Sequence, residues 1–439
     1  MEQDTTAKPE FAAWVGIDWA DKKHTFALQV CGQRKIERGE LEQTPEAIEQ
    51  FAGELARRFP GRAVAVALEQ SRGALLFMLT KYAHLVLFPV HPNTLDHYRK
   101  SFYPSGAKSD PQDADLILDL LVRHPERLRR LQPDTVATRT LQFLVEARRE
   151  SVDEQTRYRN RLTAQLKLYF PQLLDWFDET GSVVAGNLLL QWPTLQQLQQ
   201  TEPTTLEQFF RRHRLPATRI EQLQQAIRAA IPAVQDSAVV EASVFSVRRL
   251  VQQLQVLRQA IAEQDKRIRE LTEAHPDYSI WASFPSAGPV MLPRLIAALG
   301  TQRERYATAG QLQSYAGIAP VTETSGKQRW VHWRWACPKF LRQTFHEWAW
   351  LSVRKSQWAR AFYDRQRAKG QAHHAAVRAL AFKWLRILFR CWKNRCPYNE
   401  AQYAQALQQR AKQPIAATAS VQIHWKSIAG FSKPDAISS

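Results

Sequence analysis

The chain has 439 residues and a formal net charge of +18, with 44% hydrophobic residues that include 14 Trp and 20 Phe. That length suits about three domains with substantial cores, and that charge points to a polyanionic partner, nucleic acid ahead of an anionic membrane surface. No apolar run reaches the ~18 residues that span a bilayer. The opening MEQDTTAKPEF carries neither a basic nor an apolar export segment. Four cysteines (Cys31, Cys337, Cys391 and Cys396) are too few for a disulfide scaffold and lack zinc-site spacing. A cytoplasmic protein with reduced thiols, no membrane and a nucleic-acid partner is expected.

The first ~125 residues read as α/β. WVGIDWA is a short apolar run, KKHTFALQV alternates in period two, and a further strand surrounds RKIERGEL. PEAIEQFAGELARRF has helical spacing, AVAVALE is a buried-strand run, LLFMLTKYAHL a helix and LVLFPV another strand. Hairpin strands followed by helix–strand alternation suit a mixed sheet covered by helices.

Carboxylates stand out in so basic a chain. Asp18 ends the first strand and Glu69 ends another, so neighbouring strands would bring both out at one sheet edge. In AKSDPQDADLI, Asp110 followed by Pro111 reads as a helix start, with Ser109 or Asp110 as N-cap and Asp113 in the first turn. Asp110 and Asp113, at i and i+3, share a helix face. Four converging carboxylates would repel one another unless a hard cation such as Mg²⁺ sat among them, and two such ions make a clamp for phosphoryl transfer. Asp21 and Asp115 read as solvated.

From Thr138 to Phe170, the positions Leu141, Val145, Arg148, Val152, Gln155, Arg159, Leu162, Leu166 and Tyr169 step by four and three. Leu250, Leu254, Leu257, Ile261, Gln264, Ile268 and Leu271 do the same. Residues 126–275 read as an antiparallel helical arm or coiled coil, with a plain helical bundle equally compatible. Arg148 and Arg159 lie among arginines on successive turns, and a basic chain makes RNA-backbone contact credible for them beside an ordinary solvated role.

FPSAGPVMLPRLIAALG then resembles the opening of a helix–hairpin–helix, whose second helix can present N–H groups to a phosphate. Gly317 and Pro320 punctuate the next stretch. Two long helices rich in Trp and Arg are expected from Trp335 to about Arg367 and from Ala372 to about Trp392. Between them and the glycine, Lys327, Arg329 and Arg334 interleave with Trp330 and Trp333, cations for the backbone and indoles for unpaired bases. Trp348, Trp350 and Trp358, at near-helical spacing, read as core. The end, from KQPIAATAS onwards, has no periodicity and reads as a loosely held tail.

The segments GIDWADKKHTFAL, ALEQSRGALL, FPVHPNTLDHYRKSFYPSGAKSDPQDADL and WACPKFLRQTFHEWA resemble the DEDD transposases of bacterial insertion sequences, the IS-one-ten type, relatives of the Piv DNA invertases. The resemblance runs to about residue 400. It implies a RuvC-like, RNase H-like domain over 1–125 with Asp18, Glu69, Asp110 and Asp113 as metal ligands. It further implies a coiled-coil insert over 126–275 and a mainly α transposase domain over 276–400, with 401–439 outside the family plan. In GIAPVTETSGKQ it implies Ser325 as the nucleophile; from the residues alone, that serine is a turn residue. It also implies a structured bridge RNA that pairs with donor and target DNA. Gln70, Arg72 and Ser109 depart from the family pattern without removing a ligand. Because strand exchange needs several cleavages at once, a dimer or tetramer is expected, with the carboxylates and Ser325 brought together by docking. Two further readings stay open: a RuvC-like hydrolytic nuclease using metal-activated water, and a non-catalytic nucleic-acid scaffold.

Overall fold

A computed structural model of the chain describes residues 10–69, 73–103, 110–179, 181–325 and 328–412, which divide into two compact units between Pro133 and Asp134. In the first unit, β1 (Ala13–Asp18), β2 (Lys23–Val30) and β3 (Ile36–Glu42) form an antiparallel meander. Helix α1 (Pro45–Arg58), capped by Thr44, leads to β4 (Val64–Leu68). Helix α2 (Ala74–Leu79) leads to β5 (Leu85–Pro89), then α3 (Pro92–Phe102) and α4 (Asp110–Arg123) follow. The sheet order is β3-β2-β1-β4-β5, with β4 parallel to both β1 and β5. This is the expected mixed sheet. Helix α2 is shorter than its apolar run because the chain must reverse before β5, which it does through turns from Leu79 to Tyr82 and from Tyr82 to Leu85. Helix α3 is an element the apolar pattern did not announce.

One sheet face presents Val15, Ile17, Val66 and Leu68 to α1 and α2. The other presents small residues, Gly16, Ala27, Ala65 and Ala67, over which α4 and α3 pack. The fit of α4 is tight enough that a Cβ at Gly16 would stand 2.4 Å from the Leu118 amide nitrogen and 2.5 Å from the Ala114 carbonyl oxygen. These are backbone atoms that cannot yield by a rotamer change. Gly16→Ala is therefore expected to lift α4 from β1 and to cost about 2–3 kcal/mol, read as a lower urea midpoint at unchanged slope.

In the second unit, α5 (Val136–Tyr169) and α11 (Ser237–Glu273) are long antiparallel helices. Between them run α6 (Gln172–Trp176), α7 (Val183–Gln191), α8 (Leu195–Gln200), α9 (Pro203–Arg212) and α10 (Ala217–Ala229). The seam between the long helices is buried at both ends and only half-buried between. At one end Leu162, Leu166, Val247 and Leu250 join a core of Trp176, Trp192, Phe209 and Phe210 from the short helices. At the other end Leu141, Val145 and Ile268 enter the core of the C-terminal helices. In the intervening stretch Val152, Gln155, Leu257 and Ile261 stay partly exposed.

That C-terminal core is built from α12 (Tyr278–Ala282), α13 (Met291–Leu299), α14 (Ala309–Tyr315), the hairpin β6 (Val321–Ser325) and β7 (Gln328–His332), then α15 (Lys339–Ser352), α16 (Gln357–Ala368), α17 (His373–Lys393) and α18 (Glu400–Lys412). A turn joins α12 to α13, and α13 is buried along its whole length. Trp348 and Trp358 pack on Trp384 at 4.8 and 4.4 Å between ring centroids, and each indole N–H donates to an internal acceptor: Pro285 O, Tyr398 Oη and Ser352 Oγ. They are core residues, as read.

Two expectations are corrected here. The helix expected from Trp335 to Arg367 begins only at Lys339, after Pro338, and breaks at 353–356, where Ser356 caps α16 through the Ala359 amide. The tail expected from 401 begins as helix α18, whose Tyr403 and Leu407 lie on the core; residues 413–439 lie outside the described residues.

Candidate active site

The sheet geometry decides where the strand-end carboxylates go. Ile17 and Leu68 are register partners on parallel strands, so Asp18 and Glu69 are adjacent at one sheet edge. Because Asp18 follows Gly16 by two, both lie on the face that α4 covers. Gly16 meets Ala114 and Leu118 of α4, and Arg99 lies within range of both Asp113 and Glu69, so the first turn of α4 comes to the strand ends that carry Asp18 and Glu69. That turn carries Asp113, fully buried, and Asp110, which is exposed at the helix start. Ser109, the alternative cap, lies outside the described residues, as do Gln70 and Arg72.

Arg99 of α3 enters this acidic edge. Its Nε donates to Asp113 Oδ1 at 2.7 Å, with Asp96 a further 3.7 Å partner. Burial works against the guanidinium charge, but the Asp113 hydrogen bond and the charges of Asp113, Glu69 and Asp96 outweigh it and raise its pKa. Tyr98, on the same helix, donates to Asp119 at 2.7 Å and fixes α3 to α4. On the other side of Asp18, buried His24 accepts the Ala20 N–H at Nδ1 and bonds Gln43 at 2.5 Å through Nε2, which pins the turn after β1. Burial lowers the His24 pKa, against the opposing hydrogen bonds with Gln43 and Ala20. Neither Arg99 nor His24 was marked by sequence reasoning. Asp115, read as solvated, is instead held by a two-point bond from Arg38 at 3.0 Å.

The donor set fits a hard cation, since Asp18, Glu69, Asp110 and Asp113 are all carboxylates, the ligand type that suits Mg²⁺. Asp113 is buried in a place that already requires positive charge, which Arg99 supplies. As the side chains stand, no three His, Cys, Asp or Glu residues among those described close on one point. The convergence expected from the sequence therefore reaches one edge but not a finished coordination shell.

Ser325 is the last residue of β6, paired with Gln328 across a two-residue connection, and is exposed. Gly326 and Lys327 lie outside the described residues, as does the side chain of Arg329. Ser283 and Ser286, indistinguishable from Ser325 as sequence, are engaged: Ser283 Oγ donates to Ile280 O and accepts from Tyr398 N, and Ser286 Oγ donates to Leu351 O. No hydrogen bond among the described residues occupies the Ser325 hydroxyl.

In β7 Trp330 is 41% exposed, and beyond the hairpin Trp335 is 81% exposed. Trp333 is half-buried, with the guanidinium of Arg378 4.0 Å and that of Arg342 5.1 Å from its ring centroid. Arg334 is half-buried and its carbonyl accepts from Arg342 at 3.4 Å. In the arm, both Arg148 nitrogens bind the Asp265 carboxylate across the seam, and the stem of Arg159 lies against Gly181. Arg148 thus ties the two long helices to each other.

Comparison with known proteins accords with this geometry. A DEDD-type model described as a transposase matches residues 15–171, and one described as the IS116/IS110/IS902 transposase family matches residues 278–364. A Streptomyces coelicolor protein described as a mini-circle putative transposase for IS117 is 28% identical, covering 88% of this chain and 95% of its own length. An uncharacterized 42 kDa protein of insertion element IS900 from Mycobacterium paratuberculosis is 27% identical over 88% of this chain and 97% of its own. A 43.6 kDa protein of IS110 from Streptomyces coelicolor is 26% identical, over 87% and 94%. Fold, acidic edge and both matches define a DEDD transposase. The chain belongs to the IS110/IS116/IS902 family of insertion-element transposases. Among the described residues no helix is long and apolar enough to cross a membrane.

Proposed function

We propose that this transposase cuts and rejoins DNA through a phosphoserine link, with Ser325 as nucleophile and a RuvC-like, RNase H-like first unit holding Mg²⁺ through Asp18, Glu69, Asp110 and Asp113. A structured RNA of the element pairs with donor and target DNA and supplies the specificity. The acidic edge carries this reading: Asp18 and Glu69 are register neighbours, and a buried Asp113 on the overlying helix needs a cation beside it. Bound there, Mg²⁺ supplies positive charge to a phosphate and eases loss of a hydroxyl proton. The Ser325 oxygen bonds to phosphorus as a phosphorus–sugar oxygen bond breaks. The serine proton leaves to a base, and the departing sugar oxygen takes one up. Reversal by a second sugar hydroxyl rejoins the strand, so no nucleotide cofactor is needed. Exposure of Ser325 at a hairpin end, with its hydroxyl unengaged among the described residues, supports the assignment. Active assemblies of two or four chains follow from the need for concerted cleavages.

The test is a denaturing gel after incubating the chain, its RNA and labelled DNA with Mg²⁺. DNA that stays attached to protein in Mg²⁺ but not in EDTA is the expected result. Nicked DNA free of protein would replace this reading with hydrolysis by metal-activated water. No cleavage in any metal would leave a nucleic-acid scaffold.

A further inference from the structure

Two arginines and two histidines gather at the base of the hairpin, apart from the carboxylates and the serine used above. Arg342 and His346 are one turn apart on α15, and His374 and Arg378 are one turn apart on α17, which packs against it. His346 Nε2 and His374 Nδ1 are 3.3 Å apart, and both arginines lie over the Trp333 ring. We propose that Arg342, His346, His374 and Arg378, organised by Trp333, form a binding site for a backbone phosphate of nucleic acid.

Neither arginine has a carboxylate partner among the described residues: Arg342 donates to the Arg334 carbonyl at 3.4 Å, and the two imidazoles meet each other. Arg378 is half-buried and makes no ion pair among the described residues; burial alone lowers its pKa to about 10. An arginine desolvated without a carboxylate is costly to the free protein. Burial, then the charges of His374, Arg378 and His373, lowers the His346 pKa to about 4, against the opposing charge of Glu347. Glu347 itself is already engaged by Arg294, Gln343 and Arg149. The buried atoms Trp333 Nε1 and His346 Nδ1 also lack partners among the described residues. Helix α17 adds an N-terminus with no side-chain cap, directly beneath His374. All of this favours an anion. A divalent metal on the histidines is disfavoured by two adjacent guanidiniums, and no metal-competent group of three ligands exists among the described residues. The exposed Trp335, 6.4 Å from Trp333 between ring centroids, offers a base a surface beside the phosphate and so selects a nucleotide strand over free phosphate.

The inference rests on nucleic-acid binding by a transposase and not on the metal or serine chemistry, so it is tested in EDTA. The full-length chain is titrated with a fluorescein-labelled single-stranded oligonucleotide across a range of salt. Arg378→Gln and Arg342→Gln are each expected to bind about 5- to 20-fold more weakly, with a salt slope shallower by about 0.7 for each phosphate no longer neutralised. Arg378→Gln should melt no lower than the native chain, because an unpaired desolvated charge has been removed. Unchanged affinity and slope in both arginine variants would overturn the site. A fall in melting temperature with unchanged slope would assign Arg378 a structural role instead. Competition by millimolar inorganic phosphate as effective as that by oligonucleotide would overturn the nucleic-acid assignment.

Discussion

Ser325→Ala is expected to bind DNA normally yet form no covalent product, a loss of about 10³-fold or more in strand joining. The magnitude follows from removing the only atom that the proposed chemistry bonds to phosphorus. The substitution is also structurally gentle. Ser325 ends β6 with its side chain in solvent and contributes no hydrogen bond among the described residues, so stability should change by less than about 0.5 kcal/mol. The same change at Ser286 breaks its bond to Leu351 O and should reduce stability while leaving the adduct in place. Equal amounts of adduct from the Ser325→Ala and native chains, in a gel that resolves protein–DNA conjugates, would refute the assignment.

The second large effect concerns Arg99. Asp113 is fully buried, and Arg99, with a side chain 12% exposed, holds it at 2.7 Å. Removing one partner of such a pair strands a charge in a poorly hydrated place, which costs about 3–5 kcal/mol. In EDTA, Arg99→Ala should therefore melt about 10 °C below the native chain. A metal among the carboxylates replaces the missing positive charge. At a concentration about 100 times its dissociation constant it stabilises by about 2.7 kcal/mol. Mg²⁺ should thus raise the melting temperature of Arg99→Ala more than that of the native chain, where the guanidinium competes for Asp113. Calorimetry with and without Mg²⁺ reads this directly, independently of any cleavage assay. Equal shifts in both proteins would mean that Arg99 and the metal do not share a place.

What the sequence made legible depended on how each element is buried. Strands covered on both faces read as unbroken apolar runs, so β1, β4 and β5 were plain, and with them the positions of Asp18 and Glu69 at strand ends. Helix α3 escaped because it buries only Leu95, leaving no apolar period to detect; Arg99, and the way it answers Asp113, were hidden with it. Its one local signal was Pro92 at the first helical position. Arg378 was unreadable for a different reason. It sits in a helix whose other residues make the core, and only the packing of α15 on α17 brings it over Trp333. The break before α16 likewise depends on a tertiary partner, the Trp384 indole that bonds Ser352.

The long helix pair carries a geometric consequence. From Val145, the last α5 residue in one core, to Leu162, the first in the other, the helix climbs 1.5 Å per residue, about 25 Å, or some seven base pairs of duplex. The partly exposed seam, the Arg148–Asp265 bond and the Arg149–Glu347 pair lie in that interval. Lengthening both helices by seven residues there would move the distal head outward by about 10 Å with a rotation of only about 20°. Two residues would swing it to another azimuth. The pair is thus a ruler graduated in heptads.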